Sequence, residues 1–216
     1  MPLAEIRLHV FSDYTCPFCY IGHERLLQLR QEFKLDINWC HVELHPRLPE
    51  CSRGEDLCRC NSERWQALSR NVQNLRRQDG LDFTVPITPA QSRCALLLSE
   101  QAKSISTEVF DTLQHGIFTA YFKHNADISD EALLRRLAKK AGLKETQIED
   151  AWARREYPDR LHQHLYLARQ LGIRSAPSYV IGDRVLAGVQ PISTLREAFH
   201  GYLQNQSRQS EIAQLH

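Results

Sequence analysis

The chain begins with a strand pattern that is followed at once by a helix pattern. Ile6, Leu8 and Val10 alternate with polar residues, and this period of two is typical of a half-buried strand. Further on, apolar residues recur at the spacing of one helix face, at Ile21, Leu26, Leu29 and Phe33. A second strand is predicted over residues 35–44 from the apolar residues Ile37, Trp39 and Val42, and Pro46 ends it because proline cannot donate to a strand ladder.

Almost all of the pattern between residues 62 and 171 is helical. One of these helices has a clear apolar face, formed by Leu133, Leu134, Leu137, Ala138 and Ala141. We expect Ser129 to cap its first turn and Gly142 to end it, since hydroxyl side chains favour N-caps and glycine favours helix ends. A segment of this length is too long for a loop, so it is predicted to be an inserted helical subdomain.

The last part of the chain returns to strands and closes with a helix. Residues 179–181 and 184–187 are separated by Gly182-Asp183, which predicts a hairpin with a two-residue turn. A closing amphipathic helix follows, with one face formed by Ile192, Leu195, Phe199 and Leu203. This order of elements predicts an α/β architecture, in which helices pack on a small mixed sheet.

These patterns also predict how the 216 residues are divided. Residues 1–61 and 172–204 are expected to form one α/β domain, which the helical residues 62–171 interrupt. The polar residues 205–216 are predicted to be a disordered tail, because they offer no apolar face to bury.

Composition and charge exclude several classes of protein. The formal net charge is +1, from 27 Lys and Arg against 26 Asp and Glu, so nothing indicates nucleic acid as a partner. No apolar run is long enough to cross a bilayer, and the first residues lack the pattern of a signal peptide. We therefore expect a cytoplasmic protein that binds no membrane. The odd count of seven cysteines agrees, because structural disulfides are rare in that compartment.

Two of the cysteines lie where the first strand gives way to the first helix, in Cys16-Pro17-Phe18-Cys19. The free N–H groups and the dipole of a helix start favour a thiolate, so Cys16 is expected to be the exposed nucleophile. Pro17 suits the first turn, and Cys19, one turn further on, is expected to be the more buried, resolving thiol. Half of a zinc site and a pair of spectator thiols are the alternatives.

The residues beside this pair each allow two interpretations. Tyr14 and Phe18 either offer apolar contacts to a substrate or simply pack in the core. Asp13 either accepts a proton near Cys19 or caps the helix.

Other candidate ligands lie elsewhere in the chain. Three cysteines share one polar segment, namely Cys51, Cys58 and Cys60. They are interpreted as surface thiols, as an auxiliary redox disulfide, or as zinc ligands together with a nearby histidine. Cys40 and Cys94 lie among apolar residues and are predicted to be small core groups. His162 and His164 face different directions on a helix and are predicted to be surface residues, so no metal ligand is assigned.

The segment from Phe11 to Gly22 resembles the active-site segment of DsbA-family thiol:disulfide oxidoreductases, in particular their FrnE-like branch. Further segments are similar to that family, at residues 43–46, 118–122, 127–130, 175–181 and 188–190. The resemblance spans nearly the whole chain, except residues 51–60 and the tail. It implies a thioredoxin-like fold with a large all-helical insertion.

The resemblance also implies a substrate-binding position opposite the cysteines. Pro177 would be the cis-proline that faces Cys16 and Cys19, and it starts a predicted strand, where its missing N–H is tolerated. The carbonyl and N–H of Ala176 would then pair with an extended substrate chain in the manner of an added strand.

The leading hypothesis is an enzyme, a thiol:disulfide oxidoreductase. Its expected substrates are proteins or small thiols and disulfides, and glutathione is considered as a co-substrate. No cofactor is expected beyond the redox-active Cys16–Cys19 disulfide. Because Phe18 brings no positive charge to Cys16, the pair is expected to be less oxidising than that of the strongly oxidising periplasmic relatives.

Two other functions stay open from the sequence. Kappa-class glutathione transferases and hydroxychromene-carboxylate isomerases are similar in architecture, and they would make this a glutathione-dependent enzyme that acts on small molecules. Those relatives usually have serine at the position of Cys16, so the presence of both cysteines favours dithiol chemistry. The third hypothesis is a binding module in which Cys16 and Cys19 hold zinc.

Overall fold

The computed structural model describes residues 5–46, 63–86 and 90–213 of the chain. Its strands are β1 (Glu5–Ser12), β2 (Lys34–His41), β3 (Ser178–Ile181) and β4 (Arg184–Ala187). Its helices are α1 (Pro17–Leu29), α2 (Glu63–Gln78), α3 (Arg93–Lys103), α4 (Thr107–Phe122), α5 (Glu131–Ala141), α6 (Glu145–Ala153), α7 (Glu156–Gln170) and α8 (Ile192–Ala213). The predictions for Cys51, Cys58 and Cys60 lie outside the described residues.

The four strands form one mixed sheet in the order β2-β1-β3-β4. β1 and β2 are parallel, and α1 is the crossover that such a pair requires. β3 runs antiparallel to both β1 and β4. Ile6, Leu8 and Val10 are buried on β1, so the alternating pattern identified this strand correctly.

The hairpin of β3 and β4 forms as predicted. Gly182 has a φ of +61° in the two-residue turn, which is the positive value that a mirror-image turn needs. β2 ends at His41 and not at Leu44. The reason is that the Leu44 N–H leaves the sheet and donates to the Asp13 carboxylate, with 2.7 Å from N to Oδ2.

Helices α2 to α7 lie between β2 and β3, which confirms the α/β fold with a helical insertion. α5 ends as predicted at Gly142, whose φ of +105° is left-handed. Its N-cap is Asp130 and not Ser129, because the Asp130 side chain accepts from the Ala132 N–H at 2.8 Å. Ser129 instead bonds to the side chain of Asp127.

α8 extends further than the sequence predicts. It runs to Ala213, so residues 205–213 are helical where the polar composition predicts a disordered tail. This segment contains no glycine or proline, so the backbone hydrogen bonds of the helix continue although the side chains of residues 205–209 are exposed. Among the described helices, none is both long and apolar enough to cross a membrane.

The inserted helices and the sheet share one core. Tyr20 on α1 stacks on Phe122 of α4 with 5.1 Å between ring centroids, and it lies 5.6 Å from the ring of Phe118. Trp39 of β2 lies 6.4 Å from the ring of Phe110. Aromatic contacts therefore join α4 to both α1 and β2 and hold the insertion against the cysteine-bearing helix.

Charged side chains are buried where β2 meets α3. The Glu100 carboxylate, which is 1% exposed, accepts from His41 Nδ1 at 2.7 Å and from Lys103 Nζ at 2.6 Å. Burial alone would raise the pKa of Glu100, but the hydrogen bond from His41 and the surrounding positive charges lower it to about 2. Glu100 is therefore an ionised group inside the core, and Lys103 is its counter-ion.

The surface prediction for His164 is wrong. Its Nδ1 lies 3.3 Å from the His41 carbonyl oxygen, and burial lowers the pKa of the ring to about 4. His162 is exposed as predicted. Spacing along the helix showed that the two rings point in different directions, but it could not show which direction faces the sheet.

Lowering the pH from about 6.5 to about 4 is expected to destabilise the fold. Burial lowers the folded-state pKa values of His23 and His164 to about 3 and about 4. An unfolded histidine titrates near 6.5, so in this range the unfolded chain binds more protons than the folded one. Each histidine then contributes a fall of up to about 1.4 kcal/mol per pH unit in the free energy of unfolding.

Urea denaturation at several pH values measures this slope. His164→Gln should reduce it, whereas His162→Gln, at an exposed position of the same helix, should leave it unchanged. A free energy of unfolding that stays constant over the range would contradict the assignment of histidines that stay neutral in the folded protein.

Candidate active site

The turn between β1 and α1 is fixed by the carboxylate of Asp13, which is 0% exposed. Oδ1 accepts from the Thr15 N–H at 2.9 Å and from the Thr15 hydroxyl at 3.1 Å. Oδ2 accepts from the Leu44 N–H at 2.7 Å, which ties the segment after β2 to the same turn. Both oxygens thus hold the turn before α1, and neither accepts from an N–H group of the helix, so Asp13 fixes the turn and does not cap α1.

Cys16 is the N-cap of α1, and Pro17 is the first residue of the helix. The Cys16 N–H donates to the Asp13 carbonyl at 3.2 Å. The Cys16 carbonyl accepts from the N–H groups of Cys19 and Tyr20 at 3.0 and 3.2 Å. The helix therefore begins at the position that the sequence predicts, with proline where a missing N–H is tolerated.

The thiols of Cys16 and Cys19 are both free and differ in their surroundings. Cys16 is 7% exposed and Cys19 is 1% exposed, so Cys16 is the more accessible thiol but is less exposed than predicted. Burial, followed by the hydrogen bond and charge of Cys16, raises the pKa of Cys19 well above its usual range. Cys19 therefore keeps its proton at neutral pH.

The loop before β3 covers the cysteine pair, which explains the low exposure of Cys16. The Ala176–Pro177 peptide bond is cis. The Cys16 thiol donates to the Ala176 carbonyl, with 3.5 Å from Sγ to O, although 160 positions separate the two residues. Pro177 is buried, and its carbonyl accepts from the Gly188 N–H at 2.8 Å. The fold thus brings Ala176 and Pro177 beside Cys16.

The two aromatic residues that flank the pair differ in position. Phe18 is half-buried at the start of α1. Tyr14 is 1% exposed, its hydroxyl lies 2.6 Å from Ser99 Oγ, and its ring makes an edge contact with Phe118 at 4.9 Å. A substrate contact by Tyr14 does not fit this position, because the side chain packs between the sheet and the inserted helices.

Tyr179 is a residue near the cysteines that sequence reasoning missed. It is 0% exposed, and its hydroxyl has no hydrogen-bond partner among the described residues. Burial raises the pKa of Tyr179, so its hydroxyl keeps its proton. A β-carbon on Gly22 would lie 2.3 Å from this hydroxyl. The available signal was Gly22 itself, since glycine inside a helix usually has a packing reason.

Gly22→Ala is expected to destabilise the protein by about 1–3 kcal/mol, because the added methyl group overlaps the Tyr179 hydroxyl. In a Tyr179→Phe background the same change should be neutral or stabilising, since alanine is the better helix former. The next contacts of the methyl group, with Tyr179 Cζ and Pro177 Cγ, are at an ordinary 3.5 Å. Urea denaturation of the four proteins in a double-mutant cycle measures the coupling. An equal cost in both backgrounds would contradict it.

The remaining described cysteines lie apart from this site. Cys40 is 0% exposed, and burial raises its pKa to about 12, which confirms it as a core group. Cys94 is half-buried, and burial raises its pKa as well. Within residues 5–46, 63–86 and 90–213, no third metal-ligating side chain joins Cys16 and Cys19. The described part of the chain therefore offers no support for zinc at the pair.

Comparisons with known proteins agree with this fold. The family model of the DSBA-like thioredoxin domain matches residues 7–200. The structure of a probable DsbA oxidoreductase from Streptomyces coelicolor is 22% identical, with a TM-score of 0.76 over 92% of this chain and 90% of that one. A 2-hydroxychromene-2-carboxylate isomerase is 18% identical, with a TM-score of 0.75 over 94% and 98% of the two chains. The cytosolic disulfide reductase DsbM from Pseudomonas aeruginosa, solved with GSH, is 17% identical, with a TM-score of 0.69 over 94% and 100%.

Proposed function

Because the chain belongs to the DSBA-like thioredoxin-domain family, we propose that it is a thiol:disulfide oxidoreductase that works through Cys16 and Cys19. One observation carries the proposal. A thiol at the N-cap of a helix is paired with a second thiol, one turn further on, that keeps its proton. The helix start favours the thiolate of the first residue, and the second is placed to resolve a mixed disulfide.

In the reductive direction, the Cys16 thiolate attacks one sulfur of a substrate disulfide. A bond forms between Cys16 and that sulfur, and the other substrate sulfur leaves as a thiolate that takes up a proton. Cys19 then attacks the Cys16 sulfur, loses its proton to the departing substrate sulfur, and closes the Cys16–Cys19 disulfide. The substrate has gained two electrons from the dithiol and two protons, one from Cys19 and one from solvent, and oxidation of a substrate is the reverse sequence.

An extended substrate segment is proposed to lie along Ala176 and Pro177, beside Phe18. The Ala176 carbonyl oxygen lies 3.5 Å from Cys16 Sγ, so a chain that pairs with the Ala176 backbone brings its own sulfur to Cys16. The half-buried ring of Phe18 offers an apolar contact to the same chain. Tyr14 takes no part in this proposal, because its side chain is buried.

Glutathione is proposed as a small thiol co-substrate. The support is the likeness in fold to DsbM, which was solved with GSH. That neighbour is a cytosolic disulfide reductase, and a cytoplasmic location is likewise proposed for this chain.

Phe18 adds no charge to the cysteine pair, so we expect the Cys16–Cys19 disulfide to be a weaker oxidant than that of the strongly oxidising periplasmic relatives. Membership of the FrnE-like branch stays a prediction.

The second candidate function is a glutathione-dependent transferase or isomerase that acts on a small molecule. The likeness in fold to the 2-hydroxychromene-2-carboxylate isomerase favours it. The buried second thiol of Cys19 counts against it, because attack by one group on a small molecule needs no resolving cysteine.

Cys19→Ser is expected to trap the enzyme as a mixed disulfide through Cys16, because the thiol that would resolve it is missing. Cys16→Ser should form no adduct and should lower the reduction of a protein disulfide such as insulin to the uncatalysed rate. Non-reducing gels and mass spectrometry detect the adduct, and insulin turbidity measures turnover. Cys94→Ser, which changes a half-buried thiol outside the site, is the matched control and should keep full activity.

The same variants separate the two candidate functions. Glutathione conjugation or isomerisation that survives in Cys16→Ser, with no disulfide turnover in the unmodified protein, would favour the second candidate. The absence of any adduct between Cys19→Ser and a protein disulfide or glutathione disulfide would overturn the first.

A further inference from the structure

Two helices bring together a group of metal-ligating side chains outside the cysteine site. His23 and Glu24 lie on α1, and His115 lies on α4. One ligand atom from each side chain lies within 4.8 Å of the other two. Nothing in the sequence pairs these residues, because the two helices are far apart along the chain and meet only in the fold.

Two of these three side chains each have a buried polar atom without a partner. His23 Nε2 and Glu24 Oε1 have no hydrogen-bond partner among the described residues. The His23 side chain is only 3% exposed, so bulk water does not replace the missing partner. Buried polar atoms in folded proteins are almost always paired. A metal ion shared by the three side chains would supply the partner that both atoms lack.

The His23 ring is held in place on several sides. It lies 5.2 Å from the ring of Phe118 and 5.7 Å from that of Trp39. The Gln114 amide nitrogen lies 3.2 Å from His23 Nδ1. If the side-chain amide of Gln114 is flipped, its oxygen accepts from an N–H at Nδ1 of His23. That tautomer of His23 leaves the lone pair of Nε2 free for a cation.

The surrounding charges suit a bound cation. Glu24 supplies a carboxylate, and the nearby guanidinium of Arg30 is paired with Asp111 of α4, with 2.5 Å from Nη1 to Oδ2. Metal coordination uses the neutral form of the two imidazole rings.

We propose that His23, Glu24 and His115 bind one Zn²⁺ ion that joins α1 to α4. Two imidazole nitrogens and one carboxylate oxygen are a known zinc ligand set, with water in the fourth position. Bonds of about 2.0–2.2 Å bring such ligand atoms closer together than 4.8 Å. The exposed ring of His115 and the half-buried side chain of Glu24 close this gap by rotation.

The position of this site gives the ion a structural role. His23 lies one helical turn after Cys19 on α1, so a bound ion fixes the cysteine-bearing helix against the inserted helices. A ligand that binds only the folded state also raises its stability. Zinc is therefore expected to raise the midpoint of thermal unfolding, and this readout is independent of the proposed disulfide chemistry.

The test is calorimetric titration of Zn²⁺ into tag-free, full-length protein whose accessible thiols have been blocked under native conditions. The unmodified sequence should bind one ion per chain. His115→Ala and Glu24→Gln should weaken binding about tenfold or more. His162→Ala removes an exposed histidine from another helix and should bind zinc as the unmodified protein does.

A second variant covers the core position. His23→Phe replaces the ring by an aromatic group that fits between Phe118 and Trp39, so it should fold, fail to bind zinc and show no thermal shift with the ion. The proposal is overturned if the unmodified protein binds no zinc. It is also overturned if His115→Ala binds zinc as tightly as the unmodified protein, because the ion then lies elsewhere.

Discussion

The buried carboxylate of Asp13 is the interaction on which the candidate site depends. It accepts from the backbone N–H groups of Thr15 and Leu44, and so joins the end of β1, the start of α1 and the segment after β2 in one turn. A buried carboxylate that lost these partners would be strongly unfavourable, so the bonds and the turn persist together. α1 has no side-chain cap of its own at Cys16, and the turn before it sets where the helix begins.

The sheet supplies the other half of the site. β3 pairs with β1 so that Ser178 lies opposite Phe11. Pro177, just before β3, therefore falls beside the end of β1, where the turn leads to Cys16. This register places the Ala176 carbonyl oxygen beside the sulfur of Cys16. The inserted helices also pack directly on the active-site turn, as the hydrogen bond between the hydroxyl groups of Tyr14 and Ser99 shows.

Local patterns predicted most of the elements and the position of Cys16, because alternation, helical spacing and turn residues act over a few neighbours. The hairpin at Gly182 is one example. Local patterns do not place side chains whose surroundings come from distant segments. The sequence left Tyr14 open between a substrate contact and core packing, and the fold packs it in the core, while His164 faces the sheet because of how its helix docks. The position of Tyr179 in the sequence does not indicate that it lies near the cysteines, since only the fold brings its hydroxyl to α1.

Whether the start of α1 activates Cys16 is tested most directly by its rate of alkylation with iodoacetamide between about pH 5 and about pH 9. Peptide mass spectrometry follows Cys16 alone, and a cysteine in a short unfolded peptide is the reference. The reference should slow about tenfold per pH unit below its pKa near 8.5. Cys16 is expected to stay reactive well below neutral pH. If Cys16 slows in step with the reference, the helix start does not stabilise its thiolate, and the mechanism is contradicted.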